Sequence, residues 1–198
     1  MSADVVIVDS GGANLASLQH ALARLGSSSV VSRQAAEIVA ARHVLLPGVG
    51  SAATAMHNLQ RTGLDRLLPT LTQPVLGICL GMQLLFESSA EGDTAGLRIV
   101  PGRVNRLEAS VDRPVPHMGW NTLLPRKADA LLAQMSVQDR VYFVHSFAAP
   151  VGPWTTASCE YGPEFTAVIA RGNFRGVQFH PERSGAVGAR LLANFLAL

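Results

Sequence analysis

The first half of the chain alternates strand-sized apolar runs with amphipathic helical patterns, and that alternation leaves few folds open. Residues 4–9 read as a buried first strand. Asn14 is placed to cap a helix carrying Leu15, Leu18, Leu22 and Leu25 on one face, closed by Gly26. Val30 and Val31 mark a second strand, and residues 43–46 a third, ended by Pro47 and Gly48. Ser51 can cap the next helix, which runs towards Gln60. Residues 75–78 form a fourth strand, and residues 82–87 open the helix after it. Beyond about residue 97 the helical pattern stops. Residues 97–107, 116–123, 140–147, 155–160, 165–170 and 174–179 are strand-like pieces separated by turn residues, before a terminal helix over 186–198. The expected class is α/β: a mostly parallel central sheet flanked by helices, with an antiparallel extension in the second half. No repeat, low-complexity tract or linker interrupts it, so residues 1–198 read as one domain.

The fourth strand runs straight into Gly77-Ile78-Cys79-Leu80-Gly81 and then a helical pattern. This is the glycine-flanked nucleophile elbow, with cysteine in the nucleophile position. Turning sharply from strand to helix puts the central residue in a strained conformation, and side chains on its flanks would collide. A helix N-terminus beneath Cys79 would favour a thiolate, and its N–H groups would face a developing oxyanion. A buried cysteine that happens to end a strand is the bland alternative. Cys159 lies inside a strand-like piece and reads as inert core.

A cysteine nucleophile needs a histidine to move its proton and a third group to hold that histidine. His180 follows the last strand-like piece and precedes Pro181 and Glu182. The proline blocks helix continuation and lets both side chains project from one strand end. Read alone, His-Pro-Glu is also compatible with a surface turn. His20, His43 and His57 fall on helices or a strand start and read as structural. Pro47-Gly48-Val49-Gly50-Ser51 is a second glycine loop between strand and helix, able to offer N–H groups to an oxyanion or to serve as a plain turn. It lacks the Lys-Ser/Thr ending of a phosphate-binding loop.

Composition narrows the setting. Hydrophobic residues make up 48% and charged residues 15%, which suits a compact enzyme or a subunit that covers part of its surface with a partner. The net charge is only +2, the basic residues are scattered and Lys127 is the sole lysine, so no nucleic-acid partner is expected. Two cysteines make no disulfide framework. No His/Cys cluster has metal-ligand spacing, and neither metal nor other cofactor is expected. The early apolar run over 5–8 is strand-sized rather than a signal peptide, and nothing approaches the roughly 18 apolar residues of a membrane span. A cytoplasmic protein without membrane contact is the expectation.

Taken together, PGVG at 47–50, GICLGMQ at 77–83 and QFHPE at 178–182 resemble the triad-type class I glutamine amidotransferases, over nearly the whole chain. The resemblance implies that the amide hydrolysed is that of glutamine, with ammonia passed to another active site. Further segments narrow it: Ile7-Val8-Asp9 with Asn14-Leu15, Pro116-His117-Met118-Gly119-Trp120-Asn121, and Tyr142-Phe143-Val144-His145-Ser146-Phe147. These are similar to the glutaminase subunits of imidazole glycerol phosphate synthase, an enzyme of histidine biosynthesis. There the ammonia would serve a separate (β/α)₈ cyclase subunit, in a heterodimer making imidazole glycerol phosphate and aminoimidazole carboxamide ribotide.

By that resemblance Cys79 would form a glutamyl thioester, with His180 as acid and base and Glu182 as its orienter. Val49, Gly50 and Leu80 would supply or shape the oxyanion hole. Gln83 and Glu91 would hold the glutamine head group, helped by the backbone around Ser146 and Phe147. Trp120, Asn121, Tyr142 and Arg183 would lie near the cyclase interface. Two departures stand out: Ser10-Gly11-Gly12-Ala13 replaces a Tyr-Gly-Met-Gly-like stretch, and Arg183 stands where a lysine is usual. The rivals are a glutaminase of another pathway, a stand-alone cysteine peptidase or γ-glutamyl hydrolase, and a non-catalytic module that kept the fold.

Overall fold

The computed structural model describes residues 4–11 and 15–198. The cap expected at Asn14 and the Gly12-Ala13 part of the sequence departure lie outside the described residues. In chain order the strands are β1 (Val5–Val8), β2 (Ser29–Ser32), β3 (His43–Gly48), β4 (Val75–Cys79), β5 (Phe86–Ser89), β6 (Thr94–Ala95) and β7 (Val100–Arg106). They continue as β8 (His117–Thr122), β9 (Leu124–Pro125), β10 (Arg140–His145), β11 (Phe147–Ala148), β12 (Thr155–Glu160), β13 (Glu164–Arg171) and β14 (Phe174–Val177). The α-helices are α1 (Leu15–Arg24), α2 (Ala35–Ala40), α3 (Ala52–Thr62), α4 (Leu64–Leu67), α5 (Leu80–Leu84) and α6 (Gly185–Leu196).

An eight-stranded sheet in the order β2-β1-β3-β4-β14-β13-β12-β9 forms the centre. Its first five strands are parallel, and β13, β12 and β9 extend it in antiparallel fashion. β1, β3 and β4 are buried along their whole length, as strands covered on both faces must be, which is why they read as unbroken apolar runs. Alternate residues feed two separate cores. Val6, Val8, Val44 and Leu46 meet α2 and α3 on one side. Val5, Ile7, Leu45, Leu76 and Ile78 meet α1 and α6 on the other. Gly26, at φ +75°, closes α1, and the Ser51 side chain accepts from Thr54 N at the start of α3, both as the sequence indicates.

Three features differ from the sequence reading. The helix after the elbow spans only Leu80–Leu84, and Phe86–Ser89 leaves it as a strand. The Phe-Glu-Ser-Ser segment alternates inside and outside there, with Phe86 fully buried, and pairs with β7 and β6. The strand expected over 97–107 therefore joins a separate four-stranded sheet of β11, β7, β5 and β6 rather than the central one. The pieces near 116–123 and 140–147 pair with each other as a two-stranded ribbon, β8 with β10. Local sequence marks these as strands, but not which sheet edge receives them.

The tightest contact in the fold sits at the turn from β4 to α5. A Cβ on Gly81 would lie 1.7 Å from the Leu46 carbonyl oxygen of β3. A Cβ on Gly77 would lie 2.8 Å from the backbone of Gly81 and Met82. Both obstacles are backbone, so no rotamer relieves them. Gly81→Ala is expected to lower unfolding free energy by about 3 kcal/mol, read from the urea midpoint, since α5 must part from β3. A loss below about 1 kcal/mol would mean the elbow yields freely.

Candidate active site

Ligands of open parallel sheets bind beyond the carboxyl ends of the strands, and here the ends of β3, β4 and β14 converge on a cavity of about 460 Å³. β4 ends on Cys79, which takes φ 53° and ψ −114°, a sparsely populated conformation for a residue with a side chain. The neighbours hold it there: Gly48 of β3 is its register partner, and the flanking glycines leave room only for the backbone turn. Cys79 is 7% exposed. Its thiol lies 3.8 Å from the Val144 carbonyl oxygen, and Gln178 Nε2 lies 3.8 Å from its sulfur. With five residues, α5 is too short for a full macrodipole, so only its first-turn N–H groups act on the site.

β14 lies directly beside β4, which brings His180 to the same sheet end. His180 N donates to the Tyr142 carbonyl, and Ser184 Oγ donates to the His180 carbonyl. Nδ1 lies 2.8 Å from Glu182 Oε1. A carboxylate accepts, so the Nδ1 proton is fixed and Nε2 is left free for chemistry. Burial opposes charge on this ring, but the Cys79 and Glu182 side chains outweigh it and push His180 up to about 10. Cys159, by contrast, is sealed in the core, and burial pushes its thiol to about 12.

The loop after β3 supplies Val49 and Gly50 to the cleft, with Gly50 at φ +87°. Leu80 flanks the nucleophile from α5. Gln83 reaches the cleft from α5; its Nε2 donates to the Phe147 carbonyl at 2.8 Å and to Gln178 Oε1 at 3.0 Å. Both amide hydrogens are thereby committed, and Oε1 remains as an acceptor for a ligand. Glu91 also lines the cleft, and its Oε2 accepts from Ala52 N at the start of α3. Ser146 and Phe147 form the facing wall.

Outside the cleft mouth, Trp120 is 52% exposed and Met118 is 62% exposed, on one face of the β8–β10 ribbon. Tyr142 is the register partner of Trp120, with ring centroids 5.8 Å apart. Arg183 stacks its guanidinium 4.6 Å from the Tyr142 ring. Trp120, Tyr142 and Arg183 form one amphipathic patch. Asn121 is not part of it. Strand alternation turns Asn121 to the opposite face, where Nδ2 donates to the Glu160 carbonyl and Oδ1 accepts from Thr122 N.

Sequence reasoning singled out neither Gln178, fully buried against Cys79 and Gln83, nor the Val144 carbonyl. A polar side chain inside a buried strand end was the available signal for Gln178. Nothing in the sequence marks a carbonyl.

Comparison with known proteins agrees with this geometry. Residues 6–198 match the family model for glutamine amidotransferase class-I. The chain is 50% identical over 194 residues to the imidazole glycerol phosphate synthase subunit HisH 2 of Legionella pneumophila (strain Paris), covering 98% of each chain. It is also 50% identical over 195 residues to the HisH subunit of Xanthomonas euvesicatoria pv. vesicatoria, again over 98% of each. Among solved structures, a putative GMP synthase glutaminase-type chain from Thermoplasma acidophilum superposes with a TM-score of 0.77 at 16% identity, covering 100% of this chain and 94% of that one. A further glutamine amidotransferase crystal structure gives 0.75 at 17%, covering 98% and 97%. At those identities the structures speak for the fold, while the sequence relatives carry the assignment. The chain belongs to the class-I glutamine amidotransferases and, within them, to the HisH subunits of imidazole glycerol phosphate synthase.

Proposed function

We propose that the chain hydrolyses glutamine to glutamate and ammonia at Cys79 and delivers the ammonia to a cyclase subunit that makes imidazole glycerol phosphate in histidine biosynthesis. The observation that carries this reading is a strained cysteine on one strand end and a His180–Glu182 pair beside the adjacent strand end, in one cleft. The Cys79 sulfur attacks the amide carbon, and the carbonyl oxygen becomes an oxyanion facing the N–H groups around Val49, Gly50 and Leu80. His180, protonated by virtue of its two neighbours, gives a proton to the leaving nitrogen as the carbon–nitrogen bond breaks. A thioester and ammonia result. Water then attacks the thioester, His180 takes its proton, and glutamate leaves as the sulfur is released.

Glu91 and the Oε1 atom of Gln83 are both acceptors, so they suit the α-ammonium group of glutamine, with the Ser146–Phe147 backbone beside them. The partner surface is the Trp120–Tyr142–Arg183 patch next to the cleft mouth, taken to meet a (β/α)₈ cyclase in a heterodimer; an exposed aromatic pair with a stacked arginine is the usual make-up of an interface centre. The unit is read as one domain over residues 1–198 working in the cytoplasm without a cofactor. No helix among the described residues is long and apolar enough to cross a membrane.

Glutamate release should rise strongly when the cyclase and its nucleotide ligand are added, and Cys79→Ala should cut the stimulated rate roughly 10⁴-fold. Full activity indifferent to the cyclase would keep the chemistry but sink the pathway. A second outcome follows from the proton on His180. Its folded value of about 10 stands above the usual 6.5 or so, so the linked stability is complete below about pH 6.5 and fades as pH rises to about 10. Across that window the gap in melting temperature between wild type and Glu182→Gln should narrow; parallel curves would show that Glu182 does not hold the charge.

A further inference from the structure

Two buried histidines behind the cleft, His117 and His145, take no part in the chemistry above. They face each other across the β8–β10 ribbon and are 3% and 6% exposed. His117 Nδ1 lies 3.1 Å from His145 Nε2, and His145 Nδ1 lies 2.9 Å from the Phe147 carbonyl oxygen. Burial pushes both rings down, to about 4 for His117 and about 3 for His145. Both are therefore neutral at physiological pH, and their protons can be placed by elimination. The carbonyl only accepts, so His145 carries its hydrogen on Nδ1, Nε2 is the acceptor, and His117 Nδ1 donates to it. Stacking between Phe143 at 4.8 Å and Tyr161 at 3.9 Å fixes the plane of His117. The pair thus has one arrangement.

That arrangement ends on the atom that decides how Gln83 is turned. The Phe147 carbonyl accepts from both His145 Nδ1 and Gln83 Nε2. Flipping the Gln83 amide would set its oxygen against the Phe147 oxygen and against Gln178 Oε1, two repulsions in a buried site. With Phe147 held, Gln83 must turn Oε1 to the cleft.

We propose that His145, locked by His117, is a positioning residue for substrate: it anchors the Phe147 carbonyl so that Gln83 presents an acceptor to the α-ammonium group of glutamine. The proposal rests on the glutaminase reading. If the anchor is removed, the Phe147 peptide is freer to rotate, Gln83 can present its amino group instead, and the head group loses a partner while the Cys79–His180–Glu182 geometry stands.

The test uses the full chain in complex with its cyclase. His145→Phe keeps the ring and removes the donor; His145→Asn restores an N–H where Nδ1 stood. His145→Phe should raise KM for glutamine about tenfold or more with kcat within about threefold, and His145→Asn should recover most of that loss. Labelling of Cys79 by a glutamine-like diazoketone should slow with KM, while labelling by iodoacetamide, which has no head group, should not. An unchanged KM in His145→Phe, an asparagine no better than phenylalanine, or equal slowing of both labels would overturn the proposal. Should His145→Phe fail to fold, His117→Phe keeps the stacking and removes only the upstream donor; a rise in KM of about threefold is then expected, and no rise overturns the idea. Failure of the diazoketone to label wild-type Cys79 would strike at the glutaminase reading instead.

Discussion

The architecture of the site depends on how closely α5 approaches β3. The Leu46 carbonyl occupies the space that any side chain on residue 81 would need, so the helix can seat only because that residue is glycine. This seating forces the chain to turn at Cys79 through a conformation that costs on the order of 1–3 kcal/mol. The cost is tolerated because β3, β4 and β14 pair with one another around it, with β3 and β4 wholly buried. Strain and packing are one device here: the same crowding that distorts the backbone aims the sulfur into the cleft.

Polar groups around the sulfur are organised with equal economy. Gln178, Gln83 and the Phe147 carbonyl form a buried chain in which the Gln83 amide hydrogens both meet acceptors and Gln178 turns its own amide towards the sulfur. A half-satisfied network would be worse than an apolar one at this depth. The Glu182 Oε2 atom is buried without a partner among the described residues, and that leaves its other oxygen and its charge directed at His180. The chemistry is thereby concentrated on one ring.

Much of this was legible in the sequence because it is local. The βα alternation, the glycines around Cys79, the cap at Ser51 and the His-Pro-Glu turn are each decided within a few residues. What the sequence hid is tertiary. Phe86 leaves the helical pattern because a β-strand buries it better beside β7. The ribbon of β8 and β10 looked like more of the central sheet, since a strand's sequence does not name its neighbour. Asn121 sat in a motif with Trp120, yet alternation along β8 sends the two to opposite faces. The pairing of His117 with His145 spans 28 residues and shows only when the register is known.

The position of β14 has a consequence for biosynthesis. It slots between β4 and β13, carrying the base to a nucleophile that left the ribosome far earlier: 99 residues separate Cys79 from Gln178. At ordinary translation speeds that gap lasts on the order of ten seconds. Throughout it the nascent chain holds a cysteine with no imidazole to serve it, and a parallel neighbour still missing from the middle of its sheet. Reactivity is withheld until the sheet is whole, so a chain stalled or clipped before β14 is left with an ordinary thiol in place of a glutamine-consuming one.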